Sequence, residues 1–215
     1  MSLRQALRLY VIPDRGIGAP RSLVEQTETA LAGGAAAIQL RDKQLEGREL
    51  LAAATAMAEL CRRAGALFIV NDRLDIALLA NAHGAHLGQD DLPAAEARRL
   101  CPPGFIIGVS VQTEEQARLA KAQGADYLGI GAVYPTRTKD AAALGLDGVR
   151  RVAAATDLPS VAIGGINLAN AAEVMTAGVD GLSVISAVVG AEDVCGAAKN
   201  FLDIINRNLT AATRC

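Results

Sequence analysis

The chain has 215 residues, 51% of them hydrophobic but only 3% aromatic, and a net charge of −2. This balance excludes a general nucleic-acid binder, whose phosphate contacts need a basic surface, and calls for a core of Ala, Leu, Val and Ile. No uninterrupted apolar run reaches the length of a membrane span, and MSLRQALRLYVIPDRG lacks the apolar stretch of a secretory signal, so a cytoplasmic protein off the membrane is expected.

Short β-branched runs alternate with longer Ala/Leu-rich amphipathic segments along the whole chain. RLYVIPD (8–14) precedes SLVEQTETALAG, AAIQL (36–40) precedes GRELLAAATAMAELCRRAG, and ALFIV (66–70) precedes DRLDIALLANAHG. GAHL (84–87) leads to AAEARRL, and FIIGVS (105–110) to TEEQARLAKAQG, whose Thr113–Gln116 spells a capping box. DYLGIGA (126–132), PSVAIG (159–164) and GLSVIS (181–186) complete the strands, each followed by a helical pattern: LDGVRRVAAAT, NLANAAEVMTAG and AEDVCGAAKNFLDIINRN. Strand–helix units repeated eight times with short connections predict parallel strands and right-handed crossovers. Over this length they predict an α/β fold of one domain, a closed (β/α)8 TIM barrel over residues 1–215. An open doubly wound sheet is the alternative, but its first turn lacks GxGxxG and reads PDRGIG. AQGADYLGI, TAGVDGLSVI and NAHGAHLG recur as helix end, turn and strand start, with the glycine expected as a left-handed cap in each.

In such a barrel the chemistry sits at the C-terminal strand ends. Those ends carry Gln39, Arg41 and Lys43; Asn71, Asp72 and Arg73; Gln89, Asp90 and Asp91; Ser110 and Gln112; the run Tyr134 to Lys139; Gly164, Gly165 and Asn167; and Ser186. Asp72 and Asp91 follow neighbouring strands, roughly 5 Å apart, so they can share a hard cation such as Mg²⁺. The plainer alternative makes Asp72 a helix cap and Asp91 a solvated loop residue. Arg41 and Lys43 one strand over, with Lys139 opposite, would complete a diphosphate clamp. Gly164-Gly165 and the segment from Ser186 offer backbone amides for a second, metal-free phosphate, although a Gly-Gly pair also simply permits a tight turn. His83 reads as a turn residue and His86 as a satisfied barrel-interior histidine. Cys61, Cys101, Cys195 and Cys215 form no CxxC pair, and no nucleophile elbow is present.

QLRDK (39–43), VNDRLDIAL (70–78), GAHLGQDDLP (84–93), GVSVQT (108–113), GAVYPTRTK (131–139), AIGGIN (162–167) and VISA (184–187) together resemble the thiamine-phosphate synthase family. The resemblance runs from about Arg8 to Asp193 with the motifs in order. It implies a barrel that joins hydroxymethylpyrimidine diphosphate to thiazole phosphate with Mg²⁺ and releases pyrophosphate. It implies that Gln39, Leu40, Arg41, Asp42, Lys43, Asn71, Ser110 and Lys139 bind the pyrimidine diphosphate, with Arg41, Lys43, Ser110 and Lys139 catalytic. Asp72 and Asp91 would hold Mg²⁺. Thr136, Arg137 and Thr138, with Gly165, Ile185 and Ser186, would bind the thiazole phosphate. Pro13 stands where the family commonly has Thr, and Asp140 follows Lys139 where a spacer is frequent. A thiazole tautomerase-like barrel and a non-catalytic phosphate-ligand binder are the alternatives. The partners implied are these small molecules; a homo-oligomer is compatible with the sequence, which sets no oligomeric state.

Overall fold

Because helices cover the outside of a closed parallel sheet, every strand is buried on both sides and needs only a few residues. The computed structural model describes residues 2–136 and 142–212. Its strands are β1 Leu9–Val11, β2 Ala37–Leu40, β3 Leu67–Asn71, β4 Gly84–Leu87, β5 Ile106–Val111, β6 Tyr127–Gly131, β7 Ser160–Ile163 and β8 Gly181–Val184. They pair in parallel in that order, and β8 closes on β1 with Tyr10 opposite Ser183. This is the (β/α)8 barrel the alternation predicts. The helices are α1 Leu3–Ala6, α2 Leu23–Ala32, α3 Gly47–Ala64, α4 Leu74–Leu79, α5 Ala94–Leu100, α6 Glu114–Ala122, α7 Gly145–Ala154, α8 Ala171–Met175, α9 Ser186–Val189 and α10 Val194–Ala212. Among the described residues no helix is long and apolar enough to cross a membrane.

Alternate residues of each strand face opposite ways, and this divides the core in two. Ile38, Leu40, Phe68, Val70, Ile107, Val109, Leu128 and Ile130 pack outward against the helices. Leu7, Tyr10, Ile12, Ala37, Ile69, Tyr127 and Val161 fill the interior. The one-turn α1, which the sequence pattern did not announce, places Leu3 beside this inner group at the N-terminal end. A Ser2–Gln5 capping box forms it, and Arg4 holds both oxygens of Asp180 at 2.6 Å. The Thr113–Gln116 capping box forms at the start of α6, and Ser22–Glu25 forms another at α2.

Two expectations need correction. Gly124 and Gly178 take the left-handed backbone with φ of 85° and 86°, but in the third repeat Asn81 does so, with φ 51°. Gly84 instead opens β4, where an added Cβ would fall on the Ile106 carbonyl oxygen. Its role is close strand approach, not capping. The helical pattern from Asn167 yields only the short α8, because Asn167 and Asn170 side chains bind local backbone amides and build a turn first.

Gly84→Ala should therefore lower unfolding free energy by about 1–3 kcal/mol, the usual cost of overpacking. Gly47→Ala, at the start of α3 with only an Arg73 nitrogen 3.9 Å away, should be neutral or slightly stabilising. Urea denaturation of the two variants distinguishes them; equal effects would contradict the close approach at Gly84.

Candidate active site

The C-terminal strand ends surround a cavity of about 360 Å³, within the range of small-molecule sites. Its floor is a continuous chain of hydrogen bonds across the barrel interior. Gln39 Nε2 donates to the Tyr10 hydroxyl at 2.9 Å, and Tyr10 meets the Tyr127 hydroxyl at 2.9 Å. Tyr127 meets His86 Nδ1 at 2.9 Å, and His86 Nε2 meets Ser110 Oγ at 2.9 Å. Burial pushes both tyrosine hydroxyls far above their ordinary range, so both stay protonated. Gln89 Nε2 donates to the Ser110 carbonyl at 2.7 Å, tying the β4 loop to the end of β5.

Above the floor lies a charged rim. Asp72 follows β3 with φ 60°, a left-handed conformation that Asp tolerates better than most residues, while its amide donates to the His86 carbonyl at 2.9 Å. Its side chain does not cap α4; the cap position is Arg73, without a side-chain bond. Asp91 folds back so that its Oδ2 accepts the Gly88 amide at 2.6 Å. Burial, a hydrogen-bonding contact with the Asp91 carboxyl and repulsion from its charge push Asp72 up to about 6, against a partial pull from Lys43 and Arg41. Lys43 Nζ stands 3.8 Å from Asp72 Oδ2. Two carboxyl groups thus share one place, with two cations beside them.

Of the residues selected from sequence, Gln39, Arg41, Lys43, Asn71, Asp72, Asp91, Ser110, Thr136 and Ile185 line this cavity. Leu40 does not; it is 1% exposed in the outer core. Asp42 faces Arg15, whose Nε lies 2.5 Å from its Oδ2, and accepts the amides of Gln44 and Leu45 at 2.8 and 2.9 Å. Burial opposes ionisation of Asp42, but Arg15 and these amides outweigh it and lower its pKa. It braces the loop that carries Arg41 and Lys43. Arg137, Thr138 and Lys139 lie outside the described residues, as does Asp140.

On the opposite wall Gly164, not Gly165, lines the cavity, and Ser186 sits just outside as the first residue of α9. Gly164 and Gly165 have φ of 101° and 69°. A Cβ on Gly165 would meet Tyr134 Cβ at 2.7 Å, so the pair also serves the tight turn. The amides of Gly165, Ser186 and Ala187 have no acceptor among the described residues. Arg21 steadies α9 from below by donating to the carbonyls of Val189 and Ala191 at 3.1 and 2.8 Å. Sequence reasoning missed Tyr10 and Tyr127, whose strands LYV and YLGIG carry no other polar residue to mark the inward side. His83 is structural as read, its Nδ1 accepting the Phe68 amide at 3.0 Å.

A closed parallel barrel whose polar side chains converge on one cavity at the C-terminal strand ends has the construction of a (β/α)8-barrel enzyme. The family model described as thiamine monophosphate synthase matches residues 9–188. The chain is 52% identical over 204 residues to a thiamine-phosphate synthase of Coprothermobacter proteolyticus, covering 94% of this chain and 97% of that one. It is 47% identical over 210 residues to the thiamine-phosphate synthase of Pyrococcus furiosus, covering 97% and 100%. A solved thiamine phosphate pyrophosphorylase from Pyrococcus furiosus superposes with a TM-score of 0.91 at 46% identity, covering 97% of this chain and all of that one. The chain belongs to the thiamine monophosphate synthase family.

The raised pKa of Asp72 has a consequence for stability. Between its ordinary value of 3.8 and about 6 the folded state holds a proton that the unfolded state releases, so this carboxyl lowers stability as pH rises through that window. In EDTA, Asp72→Asn should stabilise the protein at pH 7 by on the order of 1 kcal/mol, reduced by solvent screening. The gain should vanish toward pH 4. Thermal unfolding at both pH values tests this, and a gain independent of pH would refute the shared-charge account.

Proposed function

We propose that this chain transfers the hydroxymethylpyrimidine group from its diphosphate to the nitrogen of thiazole phosphate, giving thiamine phosphate and pyrophosphate in a Mg²⁺-dependent reaction. The observation that carries the reading is the Asp72–Asp91 pair at the cavity mouth, with Lys43 3.8 Å from Asp72 and Arg41 on the same wall. Family membership supports these substrates, and this geometry would provide for their charges.

The residues fit a hard divalent cation. Two oxygen ligands are brought together at a cost that a cation would remove. Among the described residues no group of three or more His, Cys, Asp or Glu side chains could hold a metal, so the remaining ligands would be substrate oxygens and water. Asp72 and Asp91 would hold Mg²⁺, which when bound supplies charge neutralisation for the diphosphate. Arg41 and Lys43, with Lys139, would bind the same diphosphate. Gln39, Asn71 and Ser110 would hold the pyrimidine. Thr136, Arg137 and Thr138 would meet the thiazole substrate, and amides around Gly165, Ile185 and Ser186 its phosphate, where neutral donors suffice for an anion.

The chemistry suits a site without a strong base. The bond from the pyrimidine methylene carbon to the diphosphate oxygen breaks, and its electron pair leaves with pyrophosphate. The electron-rich aminopyrimidine stabilises the carbocation, and the thiazole nitrogen lone pair then forms the new C–N bond. No proton must be abstracted. Arg41 and Lys43 would stabilise the departing charge, while the barrel walls hold the two rings in contact and limit water access.

Mixing the protein with both substrates and Mg²⁺ should yield thiamine phosphate and pyrophosphate in equal amounts. No product, or undiminished product in excess EDTA, would sink this reading. Asp91→Asn retains an acceptor for the Gly88 amide but removes the charge, and should cut kcat/KM by roughly 10²-fold or more with thermal stability kept. Wild-type turnover in that variant would remove Asp91 from the metal site.

A further inference from the structure

The hydrogen-bond chain under the cavity has a direction. Gln39 donates from Nε2 to the Tyr10 hydroxyl, so Tyr10, already an acceptor there, has its own proton to place. Its other partner is the Tyr127 hydroxyl. Tyr127 accepts that proton's bond and spends its own on His86 Nδ1. A histidine that accepts at Nδ1 carries its proton on Nε2 when neutral, and Nε2 faces Ser110 Oγ. Ser110 Oγ then receives a hydrogen bond from below, leaving its own hydrogen for the cavity that it lines. The reverse order would leave the buried Tyr10 hydroxyl accepting from both sides, with its proton unbonded. Burial makes that costly.

Two glycines show that this chain is built into the barrel. Gly108 stands in register between His86 on β4 and Tyr127 on β6. A Cβ there would collide with the Tyr127 ring, and one on Gly129 would lie 2.9 Å from the His86 ring. Interior positions that would ordinarily carry side chains are vacated so that both rings fit.

We infer that Tyr127 is a positioning residue that fixes His86 as its Nε2–H tautomer and so makes Ser110 a hydrogen-bond donor to the substrate ring. At the other end of the chain, Gln39 uses its amino group on Tyr10, and its Oε1 has no partner among the described residues. The floor thus offers the cavity a donor from Ser110 and an acceptor from Gln39. That pairing suits an aminopyrimidine, which presents ring-nitrogen acceptors and amino donors. The substrate assignment rests on the proposed synthase reading; the tautomer and the direction of the chain do not.

The test uses protein labelled with ¹⁵N at its two histidines, without substrate and near neutral pH. His86 is assigned by the signals missing from His86→Asn, and His83 serves as internal control. The expected spectrum shows His86 neutral with Nε2 protonated and Nδ1 bare. A His86 protonated at Nδ1, alone or with Nε2, would overturn the inference without any variant having to fold. Tyr127→Phe keeps the ring but removes the donor, and His86 should lose its single-tautomer signature. In that variant KM for the pyrimidine diphosphate should rise about tenfold, the loss of one oriented hydrogen bond. KM for the thiazole phosphate should stay within twofold. Unchanged values, or equal rises for both substrates, would reduce Tyr127 to packing. Should the protein make no thiamine phosphate, the synthase reading fails, and the wild-type tautomer still decides the direction of the chain.

Discussion

Barrel closure is the constraint on which everything else depends. Eight short parallel strands closed edge to edge leave no free backbone edge and give every second residue to a shared interior. A polar residue placed there must find its partner among the other inward residues. At Gln39, Tyr10, Tyr127, His86 and Ser110 they satisfy one another in a line from β2 to β5. Packing two of those rings side by side forces glycine onto β5 at Gly108, between them, and onto β6 at Gly129, two residues beyond Tyr127. The polar chain and the strand glycines are two results of one spatial requirement.

The rim obeys a different rule, because it is wet and charged. Asp72 is held in a tight turn by backbone bonds on both sides, and Asp91 is tied to the Gly88 amide. Neither carboxyl is placed to swing far from the other, and Lys43 at 3.8 Å offsets only part of their repulsion. On the proposed reading, this unresolved charge is the attraction for a hard cation. On the same reading, the amides of Gly165, Ser186 and Ala187, which have no acceptor among the described residues, would hold the second phosphate across the cavity. Helix α9 is held there by Arg21 at its far end. One anion position would then depend on strong charges and the other on fixed dipoles, which suits one phosphate group that must depart and one that stays.

Much of this was legible in the sequence because strand ends in a parallel barrel are also the functional end. Once AAIQL and ALFIV are strands, Arg41, Lys43 and Asp72 fall at the mouth by position alone, and the structure places them on one cavity. The motif resemblance sharpened that inventory into substrates, which position alone does not supply. Gly84 was misread because a glycine after a helix looks like a cap, and only the neighbouring Ile106 carbonyl reveals the close approach. Tyr10 and Tyr127 were passed over because three- to five-residue strands buried on both faces show no polar alternation to mark the inner side. The short α1 and α9 are single turns, below the length at which helical periodicity can be recognised.

On the proposed synthase reading, the contrast between floor and rim would also explain why a site rich in titratable groups needs no general base. His86, the group closest in type to one, has both ring nitrogens engaged with neighbours in the polar chain. On the inferred direction of that chain, its contribution would be orientation rather than proton transfer. Formal charge is concentrated at the mouth, where solvent and a diphosphate can balance it. On the synthase reading, a floor of hydrogen-bonded side chains would align an aromatic ring without placing an anion against it that would compete for the developing cation. Separating alignment from charge along the barrel axis would let the same cavity ionise one substrate and direct the attack of the other.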